Sequence, residues 1–391
     1  MTAAQSLARR GGVLIIMNSL GRGGGDRVGM LLASGFARAG IPTRIAVMRD
    51  SGDRAPERLH PDVSVASAGA PMGLSWSSNR PPIGHQHLER FRGVRFIRRQ
   101  IDAFRPAVVL AASDNMGLVT ALARRRKDAH IVFALKLTNR LFRPNTPAVR
   151  ARLRHRLFEF VFDRIDVVLT LTEADRKDAL EHFPRCERRF RTVPNPYVTH
   201  AMLADRPPHP HGPPQLLAAG RMVRQKRFDV LLRAFALSTY RDAKLTIMGD
   251  GPLRPRLEKL AGSLGIAQRV AMPGYSDLLA AMRASQLFVL SSDYEGLPAV
   301  LVEALSSNVP VVTTDSFHAA RELIGPIASC AVVPIGDPEA LARAIDRCLA
   351  KPGHTDLRSF ARPYLVESAI DSHIEALAMV LEAQKRTDTP V

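Results

Sequence analysis

Two carboxylates, Glu295 and Glu303, stand in the stretch YEGLPAVLVEAL (294–305), an otherwise apolar run, with seven residues between them. Val300, Leu301, Val302, Ala304 and Leu305 flank Glu303. Its carboxylate is therefore expected to be poorly exposed, and such a group needs partners. Gly296 allows close backbone approach, and Pro298 suits a first helical turn because its missing N–H costs nothing there. The N-terminus of that helix would offer free N–H groups and a positive dipole end to a phosphate. Upstream, Arg221 and Lys226 follow the apolar run Leu216–Ala219 and Gly220. Cations at the carboxyl edge of a sheet can stabilise charge growing on a leaving group. The bland alternative is two solvated acids and two solvated bases, which is how Arg224 and Arg227 are read.

These residues need elements to position them. Gly12–Asn18, Asp26–Ala39 and Thr43–Met48 read as strand, helix and strand, one β-α-β unit around a Gly-rich loop. Val108–Ala112, Ile131–Leu135 and Val167–Leu171 are further strands, and Gln86–Phe104 a helix with apolar residues every three or four positions. The stretch DRPPHPHGPP (205–214) holds five prolines and one glycine and can be neither helix nor internal strand. Strands are then expected at Leu216–Ala219, Leu245–Gly249, Val270–Met272, Leu287–Leu290, Val311–Thr313 and Val332–Pro334. Helices are expected at Phe228–Leu237, Arg254–Leu264, Leu278–Ala284, Ala299–Ser306, Pro338–Ala350 and Glu367–Gln384. The alternation predicts an α/β chain of two doubly wound parallel-sheet domains facing a cleft. The boundaries are 1–196, 197–366 with the Pro-rich connection at 205–214, and a C-terminal crossover helix and tail at 367–391.

Composition narrows the function. The chain has 391 residues, 46% of them apolar, enough for two packed cores. Cys186, Cys330 and Cys348 lack metal-type spacing and suggest a reducing compartment. No apolar run reaches the roughly 20 residues of a spanning helix. Arg9 and Arg10 before Val13–Met17 loosely suggest an export signal, but the run is short and meets Asn18, so it is read as the first strand. Net charge is +18, and it is uneven: residues 1–200 carry 34 Lys/Arg against 17 Asp/Glu, whereas residues 201–391 nearly balance. A basic half favours an anionic lipid surface, a phosphorylated substrate or nucleic acid.

The second half resembles the retaining glycosyltransferases of family 4, which have the GT-B fold. The resemblance is carried, in order, by GRMVRQKRFDVLLRAF (220–235), LTIMGDGPLRPRLEKLAGSLG (245–265), MPGYSDLLAAM (272–282), SDYEGLPAVLVEAL (292–305), VPVVTTDSF (309–317), REL (321–323) and VVPIGDPEALARAI (332–345). GRGGGDRVGMLLASGFARAGIPTRIAVM (21–48) resembles the family's Gly-rich opening unit, and VPNPY (193–197) the junction between its domains. Residues 50–190 match the fold pattern only. The resemblance implies that Arg221 and Lys226 hold the donor diphosphate, Glu295 contacts the donor sugar and Glu303 the ribose. It places Gly296 and Leu297 at the helix start, Gly249, Gly274 and Tyr275 around the base, and Gly24 and Gly25 near the phosphates. It also implies that the C-terminal helix packs back toward the first domain.

One departure stands out. Many relatives carry a histidine after a first-domain strand, but here that strand runs into LKLTNRLFRPN (135–145). Lys136, Asn139, Arg140 and Arg143 occupy the region, with Asn139, Arg140 and Arg143 as acceptor-side candidates. No role is given to His85, His87 or His155. The loop GRGGGD misses the G-x-G-x-x-G register of dinucleotide-binding folds, because Asp26 stands where the third glycine belongs, although Asp50 lies near the end of the second strand. The basic runs at 87–99, 124–127 and 150–156 read as solvated faces or as patches for anionic membrane.

The expected protein is a metal-independent, retaining glycosyltransferase of the exopolysaccharide type. It would use a UDP- or GDP-linked sugar as substrate and no cofactor. Its acceptor would be a saccharide on a lipid diphosphate, at the inner face of the cytoplasmic membrane. A nucleotide-sugar epimerase of similar fold, or a basic nucleic-acid-binding protein, are the alternatives.

Overall fold

The computed structural model of the chain describes residues 1–21, 23–49, 59–69, 83–142, 146–205, 212–350 and 356–388, with 83–91 and 385–388 as backbone only. It divides into two compact units, Met1–Pro196 with Val366–Val391, and Tyr197–Leu365.

The first unit holds β1 (Val13–Met17), β2 (Thr43–Val47), β3 (Val63–Ser67), β4 (Val108–Ala111), β5 (Val132–Lys136), β6 (Val167–Thr170) and β7 (Phe190–Thr192). They form one sheet in the order β3-β2-β1-β4-β5-β6-β7, and every pairing is parallel. β1 and β4 are wholly apolar and buried along their whole length, as strands of a doubly covered sheet should be, and β5 and β6 are equally buried although they end in Lys136 and Thr170. The second unit holds β8 (Gln215–Ala219), β9 (Lys244–Met248), β10 (Val270–Gly274), β11 (Leu287–Leu290), β12 (Val311–Thr314) and β13 (Ala331–Val333). Their order is β10-β9-β8-β11-β12-β13, again parallel. Its core joins Phe228, Leu231, Leu232 and Phe235 of the helix Phe228–Leu237 to Leu341 and Ile345 of the helix Pro338–Ala350.

Strand order reverses between β1 and β4 in one sheet and between β8 and β11 in the other. Ligands of such sheets bind at that reversal, beyond the carboxyl ends of the strands.

Several elements differ from the sequence reading. A helix, Ala3–Arg9, precedes β1, started by a capping box between Thr2 and Gln5. Helices Asp114–Ala123, Ala148–Asp163 and Glu173–His182, and strands β3 and β7, were not anticipated. The helix after β1 opens at Gly24 rather than Asp26. Tyr197 opens the second unit, and Val366 returns the chain to the first. The Tyr197 N–H and that of Val198 donate to Tyr364 O, and the Tyr197 hydroxyl donates to Leu297 O at 3.0 Å. The Pro-rich stretch, of which 206–211 lie outside the described residues, therefore lies within the second unit's span of chain.

The C-terminal helix Val366–Asp388 packs within the first unit. Ile370, Ile374, Leu377, Ala378 and Leu381 are buried there. Gly35 admits this helix: a Cβ at Gly35 would fall 2.1 Å from Ile370 Cδ1. The Arg10 guanidinium donates to Leu381 O at 3.2 Å.

Candidate functional site

The loops after β8 and β11 flank the reversal of the second sheet, and they carry Lys226 and Glu295. The Lys226 ammonium donates to Glu295 Oε1 at 2.7 Å, with the two side chains 16% and 10% exposed. Glu295 is fixed from several sides. Ser292 Oγ donates to the same Oε1 at 2.6 Å, and the Glu295 N–H donates to Ser316 O at 2.8 Å. Thr314 Oγ1 in turn donates to Ser292 O at 2.6 Å. Ser292 and Thr314 were missed as site residues. Ser292 lies inside the motif that names Glu295, and a hydroxyl three residues from a buried carboxylate was the available signal.

Lys226 reaches the pair by passing over Gly220. A Cβ there would lie 3.0 Å from Lys226 Cε, and the φ of +150° also favours glycine. Gly249 stacks beneath it: its φ is +114°, and a Cβ would meet Gly220 O at 2.2 Å. The carboxyl ends of β8, β9 and β10 are thus knitted through Gly220 N–H to Met248 O and Gly249 N–H to Gly274 O. Gly274 is buried, and Tyr275, next in the chain, is 54% exposed. Arg221 is exposed at the loop mouth and, among the described residues, its guanidinium makes no hydrogen bond or ion pair.

After Glu295 the chain turns through buried Gly296 and Leu297 into the helix Ala299–Ser306. Pro298 is the residue before this helix rather than its first member. The first N–H groups of any helix lack acceptors within it, so this end can receive an anion. Glu303 lies in the helix and is only 2% exposed, in keeping with its apolar flanks.

Arg227 departs from its reading as a solvated base. Its guanidinium donates to both Asp229 oxygens and, at 2.9 Å, to Asp293 Oδ1.

The remaining candidates belong to the first unit. Gly24 and Gly25 form the exposed first turn of the helix Gly24–Arg38, and a Cβ at either would meet nothing within 4 Å. Asp26 turns back to close the loop, accepting from Ser19 Oγ at 2.8 Å and the Gly21 N–H at 3.2 Å. Burial raises its carboxyl above the ordinary value, and the Ser19 and Gly21 bonds work against that rise. Asn139 Nδ2 donates to Thr138 Oγ1 at 3.2 Å and Asp114 Oδ1 at 3.3 Å. Asp114 opens the helix after β4, at the reversal of the first sheet, and was not singled out from sequence. Arg140 is half-buried beside Asn139. Arg143 and Asp50 lie outside the described residues.

Lys136 is not at the surface. It ends β5 fully buried, and its Nζ lies 2.8 Å from His373 Nε2 of the C-terminal helix. His373 Nδ1 donates to Ala369 O at 2.7 Å, which leaves Nε2 to accept from Lys136. A histidine does stand beside this strand end, but it is sealed from solvent.

The basic runs are also less free than they read. Arg124 bonds Arg164 O and Asp166, Arg125 forks onto Asp102 and also binds Asp128, and Lys127 joins Asp102. Arg154 donates to Leu141 O. Arg150, Arg152 and Arg156 remain exposed on the helix Ala148–Asp163, next to Val149 and Leu153, which are 76% and 70% exposed. No helix among the described residues is long and apolar enough to cross a membrane.

Two family models match the chain: "Glycosyl transferase 4-like domain" over residues 23–196 and "Glycosyl transferases group 1" over residues 203–362. Among curated proteins, the lipopolysaccharide core biosynthesis glycosyltransferase LpsE of Rhizobium meliloti is 33% identical over 183 residues, 43% of this chain and 51% of that protein. The N-acetylgalactosamine-N,N'-diacetylbacillosaminyl-diphospho-undecaprenol 4-alpha-N-acetylgalactosaminyltransferase of Campylobacter jejuni is 28% identical over 175 residues, 43% of this chain and 47% of that protein. The chain thus spans about half the length of these relatives. Among solved structures, the lipopolysaccharide outer core galactosyltransferase WaaB superposes with a TM-score of 0.70 at 18% identity, covering 93% of this chain and 98% of that one. Anabaena HepE in complex with UDP gives 0.62 at 16% identity, covering 96% and 99%. These structural likenesses show the fold, GT-B.

Proposed function

Because the chain belongs to the glycosyltransferases that join a 4-like domain to a group 1 domain, we propose that it moves a sugar from a nucleotide diphosphate to a saccharide acceptor, in polysaccharide or glycan synthesis. The Lys226–Glu295 pair at the reversal of the second sheet carries this reading. A nucleotide-sugar needs positive charge at its diphosphate and a carboxylate near the sugar, and this loop pair supplies both. Lys226, Arg221 and the N-terminus of the helix Ala299–Ser306 take up the charge that grows as the diphosphate departs. Glu295 faces the sugar and steadies positive charge at the anomeric carbon. Glu303 accepts from the ribose hydroxyls, and Tyr275 and the turns at Gly249 and Gly274 border the base.

The reaction proceeds with retention. The bond from anomeric carbon to phosphate oxygen breaks, the acceptor hydroxyl attacks from the same face, and an oxygen of the leaving diphosphate takes the hydroxyl proton. This chemistry draws its cations from the chain itself and is metal-independent. UDP is the leading nucleotide, which is what HepE carries in its solved complex. The acceptor is a saccharide on a lipid diphosphate, as the name of the Campylobacter relative describes for that protein. Residues Asn139 and Arg140 of the basic first unit stand on the acceptor side. Exposed Arg150, Arg152 and Arg156, flanked by Val149 and Leu153, suit contact with an anionic lipid surface at about 1 kcal/mol per cation.

The test is turnover of a panel of UDP-, GDP- and ADP-linked hexoses by the full chain, followed by NMR. One donor should be consumed, with its anomeric configuration kept in the product. Absence of both turnover and nucleotide diphosphate binding would sink the reading. Conversion of the donor to an isomer without sugar release would replace it with an epimerase.

A further inference from the structure

Arg227 stands in the left-handed backbone region, at φ 47° and ψ 41°, between the turn Arg224–Lys226 and the helix Phe228–Leu237. A side chain is uncommon there, and glycine would occupy the position without strain. An arginine persists in such a conformation only where its surroundings hold it. The hold is on both sides. Nε and Nη2 grip the two oxygens of Asp229 at 3.1 and 3.2 Å, and Nη1 reaches Asp293 Oδ1 at 2.9 Å.

Asp293 lies two residues before Glu295, and Arg227 one residue after Lys226. The two loops are also joined by Asp293 N–H to Gln225 O, Ser291 Oγ to Lys226 O and Gln225 Nε2 to Tyr294 O, each 2.8 Å. Two contacts between these loops are charged: Lys226–Glu295 and Arg227–Asp293. The first must loosen when a donor diphosphate draws on Lys226. The second involves neither the sugar nor the phosphates. With side chains 28% and 31% exposed, it adds little to global stability.

We infer that Arg227 is a positioning residue: its tie to Asp293 keeps the loops of Lys226 and Glu295 in register while the ammonium shifts its charge to the diphosphate. This rests on the donor-binding reading above.

The test separates backbone from side chain. Arg227→Gly suits the left-handed backbone and removes the tie. Asp293→Asn weakens the same contact from the other loop. Release of nucleoside diphosphate from the consumed donor, with water as acceptor, is measured in the full chain. Each variant should lose about tenfold in kcat, because small misplacements of reacting groups are costly. KM for the donor and Kd for UDP should stay within about twofold, and Tm within about 2 °C. The double variant should be no slower than Arg227→Gly alone by more than about twofold, since both changes break one contact. Unchanged kcat in either variant overturns the inference, as do multiplying losses in the double variant or a kcat loss matched by a fall in Tm. If Arg227→Gly fails to fold, Asp293→Asn decides by the same kcat criterion. If the unaltered chain neither consumes a donor nor binds a nucleotide diphosphate, the proposed function fails first and takes this inference with it.

Discussion

The Lys226 ammonium and the Glu295 carboxylate meet at 2.7 Å across a sheet reversal, although 69 positions separate them in the chain. Neither side chain is in full contact with water, at 16% and 10% exposure, so the ion pair is partly shielded from solvent. A diphosphate entering the site would compete with Glu295 for Lys226. The resting pair therefore holds the cation in place before a donor arrives.

Replacing one partner should test the pair. Lys226→Met should lower kcat by about 10²–10³-fold, the usual loss for one charge-stabilising donor. It should also lower Tm, because Glu295 keeps its burial and loses its cation. Glu295→Gln frees Lys226, so UDP should bind at least as tightly while turnover falls. Isothermal titration with UDP beside donor-release kinetics checks both. Weaker UDP binding in Glu295→Gln would contradict the competition.

The residues of this pair were legible because strand, glycine, base and strand, acid, glycine are local patterns. Their contact was not, because it depends on β8 and β11 lying side by side. Arg227 was misread for the same reason: Asp229 is near in sequence, but Asp293 is 66 positions away. His373 lies 237 positions from Lys136, and no period in the C-terminal helix marks it as a partner for β5. The helix Ala148–Asp163 was hidden because arginines dilute its apolar face, where only Phe158, Val161 and Phe162 are buried. β3 (VSVAS) did show alternation, but over five residues at a sheet edge.

The buried pair in the first unit sets a pH dependence. Burial brings the Lys136 amine down to about 7 from its ordinary 10.5. Between these values the unfolded chain holds a proton that the folded one lacks, so stability rises with pH across the window. Below it both states are protonated and the lysine adds no slope. His373 is held well below 6.5, first by burial and then by Lys136, so stability also falls as pH drops beneath 6.5. Urea unfolding from pH 7 to 9.5 should show a rising midpoint. Lys136→Met should flatten that rise and stabilise the protein at pH 7, on the order of a few kcal/mol. An equal slope in both proteins would refute the assignment.

Glycines of the two units should respond differently. Gly249→Ala places a Cβ against Gly220 O at an unfavourable φ, and should cost about 2–4 kcal/mol together with donor binding. Gly24→Ala enters open space in a first helical turn, and stability should hold or improve by up to about 1 kcal/mol. A rise in donor KM with Tm preserved in Gly24→Ala would place this turn near the phosphates. An unchanged KM would remove Gly24 from the site.

The central claim is that the second unit holds a nucleotide diphosphate between Lys226 and Glu303. Thermal unfolding of the full chain with UDP, GDP and ADP tests it most directly. One nucleotide at about 100 times its Kd should add about 2.7 kcal/mol of stability. That gain should vanish in Glu303→Ala and shrink sharply in Lys226→Met. No stabilisation by any of the three, or an undiminished gain in both variants, would contradict the account.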